Sequence, residues 1–276
     1  MRNTFRLAPA EGVAAGATAT IRLPGPRCYH GVTIQTSFPR SKINAIRIAA
    51  NNRTVQEYTG EAIDVFNAFD GRQEGNDTFL SIPFDQTGLK LRGHEEQTAF
   101  NVGSMEIKNG AATGVILGDL ELQIDIDATA STPVIHNAWA TISPVKEGGP
   151  GALRSIYRLP GVQGVTGRWD YDKLPKGTRA SQFLSRLFIK SSYITEIELE
   201  RDTRTIWERT NDLNTWLQND GERFPQGGWF VIDFSEEGYG ENKLDCRTAR
   251  DLRLKITSSN SETVEMFAEY IGELEV

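Results

Sequence analysis

The sequence predicts an all-β chain made of two tandem antiparallel sandwiches with short helices in their loops. Three observations carry that prediction. One strand–turn–strand–helix passage is written twice, and short alternating runs bounded by turn residues fill both halves. The length of 276 residues divides into two domains, each of about 130 to 140 residues, a size that buries roughly two-thirds of its surface.

The repeated passage is Ile43 to Thr59, which returns as Ile194 to Thr210 at a separation of 151. Ile43, Ile46, Arg53, Thr54, Glu57 and Thr59 reappear as Ile194, Ile197, Arg204, Thr205, Glu208 and Thr210. The same separation relates Gly16, Leu23 and Pro24 to Gly167, Leu174 and Pro175. After a one-residue slip, Asp70-Gly71, Ile82 and Phe84 match Asp220-Gly221, Ile232 and Phe234. Ile46 and Ile48 alternate with polar neighbours, as do Ile197 and Leu199, the period of a half-buried strand. Asn51-Asn52 and Asp202-Thr203 then supply tight turns, because Asn and Asp tolerate left-handed backbone. Val55 and Ile206 restart a strand. Ala62, Val65, Phe66 and Phe69 have helical spacing, as do Leu213, Trp216 and Leu217, with Asn211 and Asp212 suited to a helix start. Trp216 stands where Val65 does and reads as core packing; Trp207 replaces Gln56, and an exposed Trp there marks an interface. The runs Phe79–Phe84 and Trp229–Phe234 read as buried strands.

Taken in order, the opening Arg2, Phe5, Arg6 and Leu7 reads either as a frayed terminus or as an arm for a neighbouring subunit or anionic lipid. Ala17–Leu23 is the first predicted strand, stopped by Pro24-Gly25, and Gly31–Thr36 the second. Asp70–Thr78 is a polar loop and Leu89–Glu96 a charged one containing His94. Phe100–Ile107 and Val115–Ile126 close the first unit. In the last of these, Leu120, Leu122, Ile124 and Ile126 face one way and Glu121, Gln123, Asp125 and Asp127 the other. Glu121, Asp125 and Asp127 are the candidate ligands for a structural divalent cation such as calcium; the plainer reading is a solvated face. Small residues and Pro133, Pro144 and Pro150 mark Ala128–Gly151 as the junction, giving domains over 1–130 and 131–276. Arg158–Gly161 resembles Arg22–Gly25 at a separation of 136, which the rest of the chain does not share. Asp251–Ile256 and Val264–Ile271 close the second unit. About eight strands per unit, in two four-stranded sheets, make each a jelly roll and the whole a double jelly roll.

The chemistry-bearing motifs are missing. His30, His94 and His136 are isolated in sequence, with no metal-ligand spacing, and no nucleophile elbow or phosphate loop occurs. Cys28-Tyr29-His30 places a thiol near an imidazole without an orienting group. No catalytic or cofactor-binding residue is expected. The net charge of −7 argues against nucleic-acid binding through the backbone. Cys28 and Cys246 read as free thiols in a reducing compartment. No apolar run reaches the roughly 18 residues of a membrane span, and the start lacks a secretory pattern. Without one, the glycosylation sequons at Asn52 and Asn76 are discounted.

The ends of the chain resemble a known family. Val13-Ala14-Ala15-Gly16 with its strand to Leu23-Pro24, Leu122–Asp127 with its alanines, Leu174-Pro175, and Asp251–Ile256 followed by Glu262, Glu269-Tyr270 and Gly272 are similar to the major capsid proteins of corticoviruses, tailless icosahedral bacteriophages with an internal membrane. That resemblance implies a double jelly-roll protomer standing upright in the shell, and a homotrimer whose six jelly rolls form a pseudo-hexagonal capsomer. It implies neighbouring capsomers, vertex or spike proteins and the internal viral membrane as partners, no sequence-specific nucleic acid, assembly in the host cytoplasm and residence in the virion. The alternative is a two-domain sandwich that binds or cleaves carbohydrate, as a phage receptor-binding protein does, through Trp169 or Trp229.

Overall fold

The computed structural model describes residues 2–72, 76, 78–86, 89, 98–108, 111–115, 117–145, 152–176, 182–239 and 242–272. The first unit runs β1 (Asn3–Arg6), β2 (Thr18–Arg22), β3 (Arg27–Thr36), β4 (Ile43–Ala50), β5 (Arg53–Tyr58), α1 (Gly60–Phe69), β6 (Phe79–Pro83), β7 (Phe100–Val102), β8 (Met105–Lys108), β9 (Ala111–Val115), β10 (Leu120–Ile126) and β11 (Ile135–Ser143). The second runs β12 (Leu153–Gly164), β13 (Gly167–Tyr171), β14 (Gln182–Lys190), β15 (Ile194–Arg201), β16 (Arg204–Thr210), α2 (Asn211–Gln218), β17 (Trp229–Asp233), β18 (Leu244–Asp245), β19 (Leu252–Ser258) and β20 (Glu262–Gly272).

The two units share one topology. In the first, the sheet β1-β11-β3-β6 faces the sheet β2-β10-β4-β5. In the second, β12-β20-β14-β17 faces β13-β19-β15-β16, with the same strand order position for position. Even the extra strands agree, since β7 pairs with β3 and β18 with β14. The registers agree too: Val32 lies between Ile82 and Ala140, and Leu187 between Ile232 and Ala268. This is the expected pair of jelly rolls.

The cause is local and repeated. Ile46, Ile48, Ile197 and Leu199 are fully buried between their sheets, as the alternation requires. Asn51 and Asn52 have φ of 48° and 63°, and Asp202 and Thr203 have 48° and 69°, the left-handed backbone that two-residue hairpins need. Asn51 Oδ1 accepts from the amides of Gly118 (2.9 Å) and Asp119 (3.2 Å). Asp202 Oδ1 accepts from those of Arg250 (2.8 Å) and Asp251 (2.9 Å) in the same place. Each helix is capped one residue earlier than Asn211 would have it: Thr59 Oγ1 accepts from Ala62 N at 3.2 Å, and Thr210 Oγ1 from Leu213 N at 3.4 Å.

Two placements differ from the sequence reading. Ile135–Ser143, grouped there with the second unit, is hydrogen-bonded between β1 and β3, because its alternation completes the first sandwich's sheet. The strand β12 is also an addition, since the second unit begins there at Leu153 and not near Gly167. Arg158–Gly161 lie in β12, the counterpart of β1, whereas Arg22 ends β2, so their likeness is not part of the repeat. The opening residues are not frayed: Asn3–Arg6 pairs antiparallel with Trp139–Ile142. The polar loop from Asp70 is described only in part, and His94 lies outside the described residues.

The units meet side by side. β5 pairs parallel with β12 at Gln56 and Ile156, joining one sheet of each unit into a continuous nine-stranded sheet. α1 covers this seam. Phe66 stacks on Phe188 with ring centroids 3.7 Å apart and meets Phe267 edge-on at 6.1 Å. Phe69 packs against Phe188 at 5.5 Å. Phe188, Phe267 and Ile156 therefore belong to the first unit's core cluster although the second unit carries them.

Candidate assembly surfaces

Polar groups are sealed into this seam. Arg186 Nε donates to Glu269 Oε1 at 3.0 Å and its Nη2 to Oε2 at 2.8 Å. Arg154 Nε reaches the same carboxylate at 2.8 Å, and Arg186 also pairs with Asp70 at the end of α1. Gln56 Nε2 donates to the Arg154 carbonyl at 2.8 Å. Burial opposes the charge on Glu269, but Arg154 and Arg186 overcome it and hold the carboxyl down at about 2. Burial likewise opposes the charge on Arg186, and Asp70 and Glu269 raise its pKa well above the ordinary value. Within this network two guanidiniums, Arg154 and Arg186, face two carboxyl groups, Glu269 and Asp70. Removing one partner from a buried network of this kind is strongly destabilising, because it leaves a charge buried and uncompensated.

The second unit presents the counterpart of α1 with its apolar side uncovered among the described residues. Trp216 is 74% exposed, Leu213 46% and Leu217 39%. Trp216 is thus not core. The inward side of α2 is held by Asn214 and Gln218, whose amides donate to the Val231 carbonyl at 2.7 and 2.9 Å, and its apolar residues point outward. Trp207 is partly buried, edge-on to Phe230 at 6.0 Å, and it is Ile206 beside it that is 41% exposed. Trp169 donates to Ser258 Oγ at 3.2 Å and Trp229 packs 6.1 Å from Phe267, so neither stands free in a sugar-binding groove.

Of the candidate cation ligands, Glu121 and Asp125 lie on β10 and Asp127 just past its end, each already engaged. Glu121 is 3.7 Å from Arg22, and Asp125 accepts from Thr18 Oγ1 at 2.7 Å and pairs with Arg47. Asp127 accepts from the Thr129 amide at 2.7 Å. The bond from the Thr129 hydroxyl, and then the one from its amide, lower the Asp127 pKa. Glu121 and Asp125 stand four residues apart on an extended strand, about 13 Å, too far to share one ion.

One arrangement escaped the sequence reading. His30 Nε2 is 2.9 Å from Ser143 Oγ, and its Nδ1 is 3.4 Å from Asp85 Oδ2. Residues this distant in sequence give no motif. The triad likeness stops there: Asp85 also binds Arg2 at 3.2 Å and Arg72 at 3.1 Å, and His30 and Asp85 are buried. These contacts occupy the carboxylate and tie β3, β11 and the loop after α1 together. They also tie Arg2 to Asp85. Neither cysteine forms a disulfide, and burial pushes the Cys246 thiol up to about 11, where it is inert.

Two sandwiches of one topology, joined edge to edge through sealed apolar and ionic contacts and bearing an outward apolar helix, define a shell-building protein of the double jelly-roll class. The family models agree: residues 4–143 match the viral coat protein P2 N-terminal domain and residues 153–274 the viral coat protein P2 C-terminal domain. The chain belongs to the viral coat protein P2 family. It is 26% identical over 285 aligned positions to the major capsid protein P2 of Pseudoalteromonas phage PM2, covering 99% of this chain and 97% of that protein. The crystal structure of that phage's major capsid protein P2 superposes with a TM-score of 0.86 at 21% identity, covering 100% of this chain and 98% of the other. Fold similarity extends to Sulfolobus turreted icosahedral virus (TM-score 0.67, 11% identity, 98% and 90% covered) and to the PBCV-1 virus capsid (0.65, 6%, 99% and 95%).

Proposed function

We propose that this chain works as a homotrimer, the pseudo-hexagonal capsomer of an icosahedral shell over an internal membrane. Its role is structural: it is a major capsid protein and a component of the virion. The observation that carries the trimer is the exact sharing of strand order by two sandwiches set side by side. Two equivalent units per chain give three chains six nearly equivalent corners, which suits a hexagonal net. Contacts between capsomers, weak singly, then add by repetition. Vertex proteins and the membrane are further partners in this reading, and no turnover chemistry is part of it. Mass photometry of the purified chain tests it. A species of three chains is expected, and a protein that stays monomeric at every accessible concentration overturns it.

A further inference from the structure

The two units part where their first strands end. In unit 2, β12 stays on its neighbour to the last residue. Beyond a bulge at Pro160-Gly161, Val162, Gln163 and Gly164 pair with Val264, Thr263 and Glu262 of β20. In unit 1, β1 pairs with β11 only as far as Arg6 and Trp139, with one further bond from Leu7 N to the Ala138 carbonyl at 2.9 Å. Pro9 has no N–H with which to extend the ladder. The chain crosses instead to the other sheet, where Glu11 and Thr20 exchange both amide bonds at 2.9 Å. The start of β11 thus lacks the partner that the start of β20 has.

A cleft of about 140 Å³ opens there, between residues 6–10 and 135–138. The shared registers put Trp139 at the position of Phe267, and so His136 at that of Val264. His136 is exposed. Among the described residues it has no strand opposite it on the β1 side, and the pairing of β11 with β3 skips it as well. Leu7, Pro9 and Ile135 make the walls apolar, while Arg6 and His136 make the rim basic. Arg6 and Arg158 hold equivalent places, opposite Trp139 and Phe267. Arg158 pairs with Glu265 at 2.7 Å. The residue equivalent to Glu265 is Asn137, so Arg6 donates to an uncharged amide instead. Among the described residues no carboxylate balances Arg6. This edge therefore lacks both the strand and the anion that unit 2 supplies from its own chain.

We infer that this cleft binds an extended acidic peptide of another protein, laid antiparallel on the start of β11 as Val162–Gly164 lie on β20. The guest is a strand because a strand fills the same place in unit 2. It is acidic because the equivalent arginine there is answered by Glu265. Main-chain hydrogen bonds give such strand addition its affinity, and side-chain contacts give it specificity. Alternate residues of an antiparallel strand face each neighbour, so His136 follows Ala138 as the next to offer its N–H and C=O to a guest. A guest Glu or Asp beside Arg6 makes a charge-assisted contact, stronger than the one Arg6 has with Asn137. Both walls belong to one chain, so the site stands independently of the trimer.

Fluorescence anisotropy of the full chain tests this with two amidated peptides labelled by tetramethylrhodamine. One reads threonine–glutamate–valine–glutamate–threonine, and the other has glutamine in place of glutamate. The wild type should bind the glutamate peptide, and the glutamine peptide about tenfold more weakly, the worth of one charge-assisted contact. Asn137→Glu installs the pair found in unit 2 and should remove that preference by weakening the glutamate peptide alone. Arg6→Gln should make the two peptides bind alike. Both variants should keep the wild-type circular dichroism. A wild type that binds neither peptide up to millimolar concentration overturns the site, as does a glutamate preference that survives in both folded variants. If Asn137→Glu changes the number of chains seen in mass photometry, a second copy fills the cleft and the foreign strand is overturned.

Discussion

The two outer sheets, β1-β11-β3-β6 and β12-β20-β14-β17, are the same object in different surroundings. Both have the same order and register. In β3, buried Val32 and Ile34 alternate with half-buried Gly31, Thr33 and Gln35. In β14, everything from Leu184 to Ile189 is buried. The extra burial comes from α1 of the other unit, and the residues record it. Thr33 and Trp139 become Phe188 and Phe267; Gly31 and Thr141 become Arg186 and Glu269. A sheet covered on one face reads as alternation, and a sheet covered on both reads as a continuous run. The side chains that fold a jelly roll and those that bind its neighbour thus occupy opposite faces of the same strands.

Substitutions can break this comparison on either face. The largest effect belongs to the inward face that the units share. Ile46→Asp and Ile197→Asp each bury an unpaired charge at a fully buried position, and neither variant should show a cooperative melting transition. A wild-type melting temperature in either one would show that the inward face is misassigned.

The next effect should appear in the second unit alone. Glu269→Ala strands Arg154 and Arg186 and should cost about 3 to 5 kcal/mol in a urea titration. Thr141→Ala at the equivalent place, half-buried and outside the network, should stay within about 0.5 kcal/mol. Equal losses would mean that the two outer faces do not differ as described.

Acid sharpens the same contrast. The Glu269 carboxyl drops from an ordinary 4.5 to about 2 on folding. A depressed carboxylate contributes stability that is fully present above its unfolded pKa and is lost as pH falls through the folded one. The loss should run from about pH 4.5 down to pH 2 and reach roughly 3 kcal/mol for this group, at 1.36 kcal/mol per unit. Urea midpoints across that range should fall less steeply in Glu269→Gln than in the wild type.

The smallest effect tests sameness. Thr59→Ala and Thr210→Ala remove equivalent helix caps, and each should cost about 1 kcal/mol. A cap worth much more at Thr59 would mean that the loss of α1 also opens the seam to unit 2.

The sequence made the hairpins and the double architecture legible because they rest on local rules. Period-two alternation sets which side is inward, and Asn51-Asn52 and Asp202-Thr203 accept a left-handed turn. Outward apolar residues were harder to read. Trp216 has the spacing of a core residue, and helical spacing cannot say whether the surface beyond it is this chain's own interior or another's. β11 was grouped with the wrong neighbours because its partners lie about a hundred residues away. The His30, Asp85 and Ser143 contact was invisible for the same reason.

The order of residues by itself settled that one strand-rich module occurs twice and which side of each strand turns inward, since both follow from backbone geometry and the period of the side chains. Only the tertiary structure decided how the copies meet. That depends on Phe66, Phe188, Arg186 and Glu269 coming together from distant strands, where packing and desolvation act between groups that no local pattern connects.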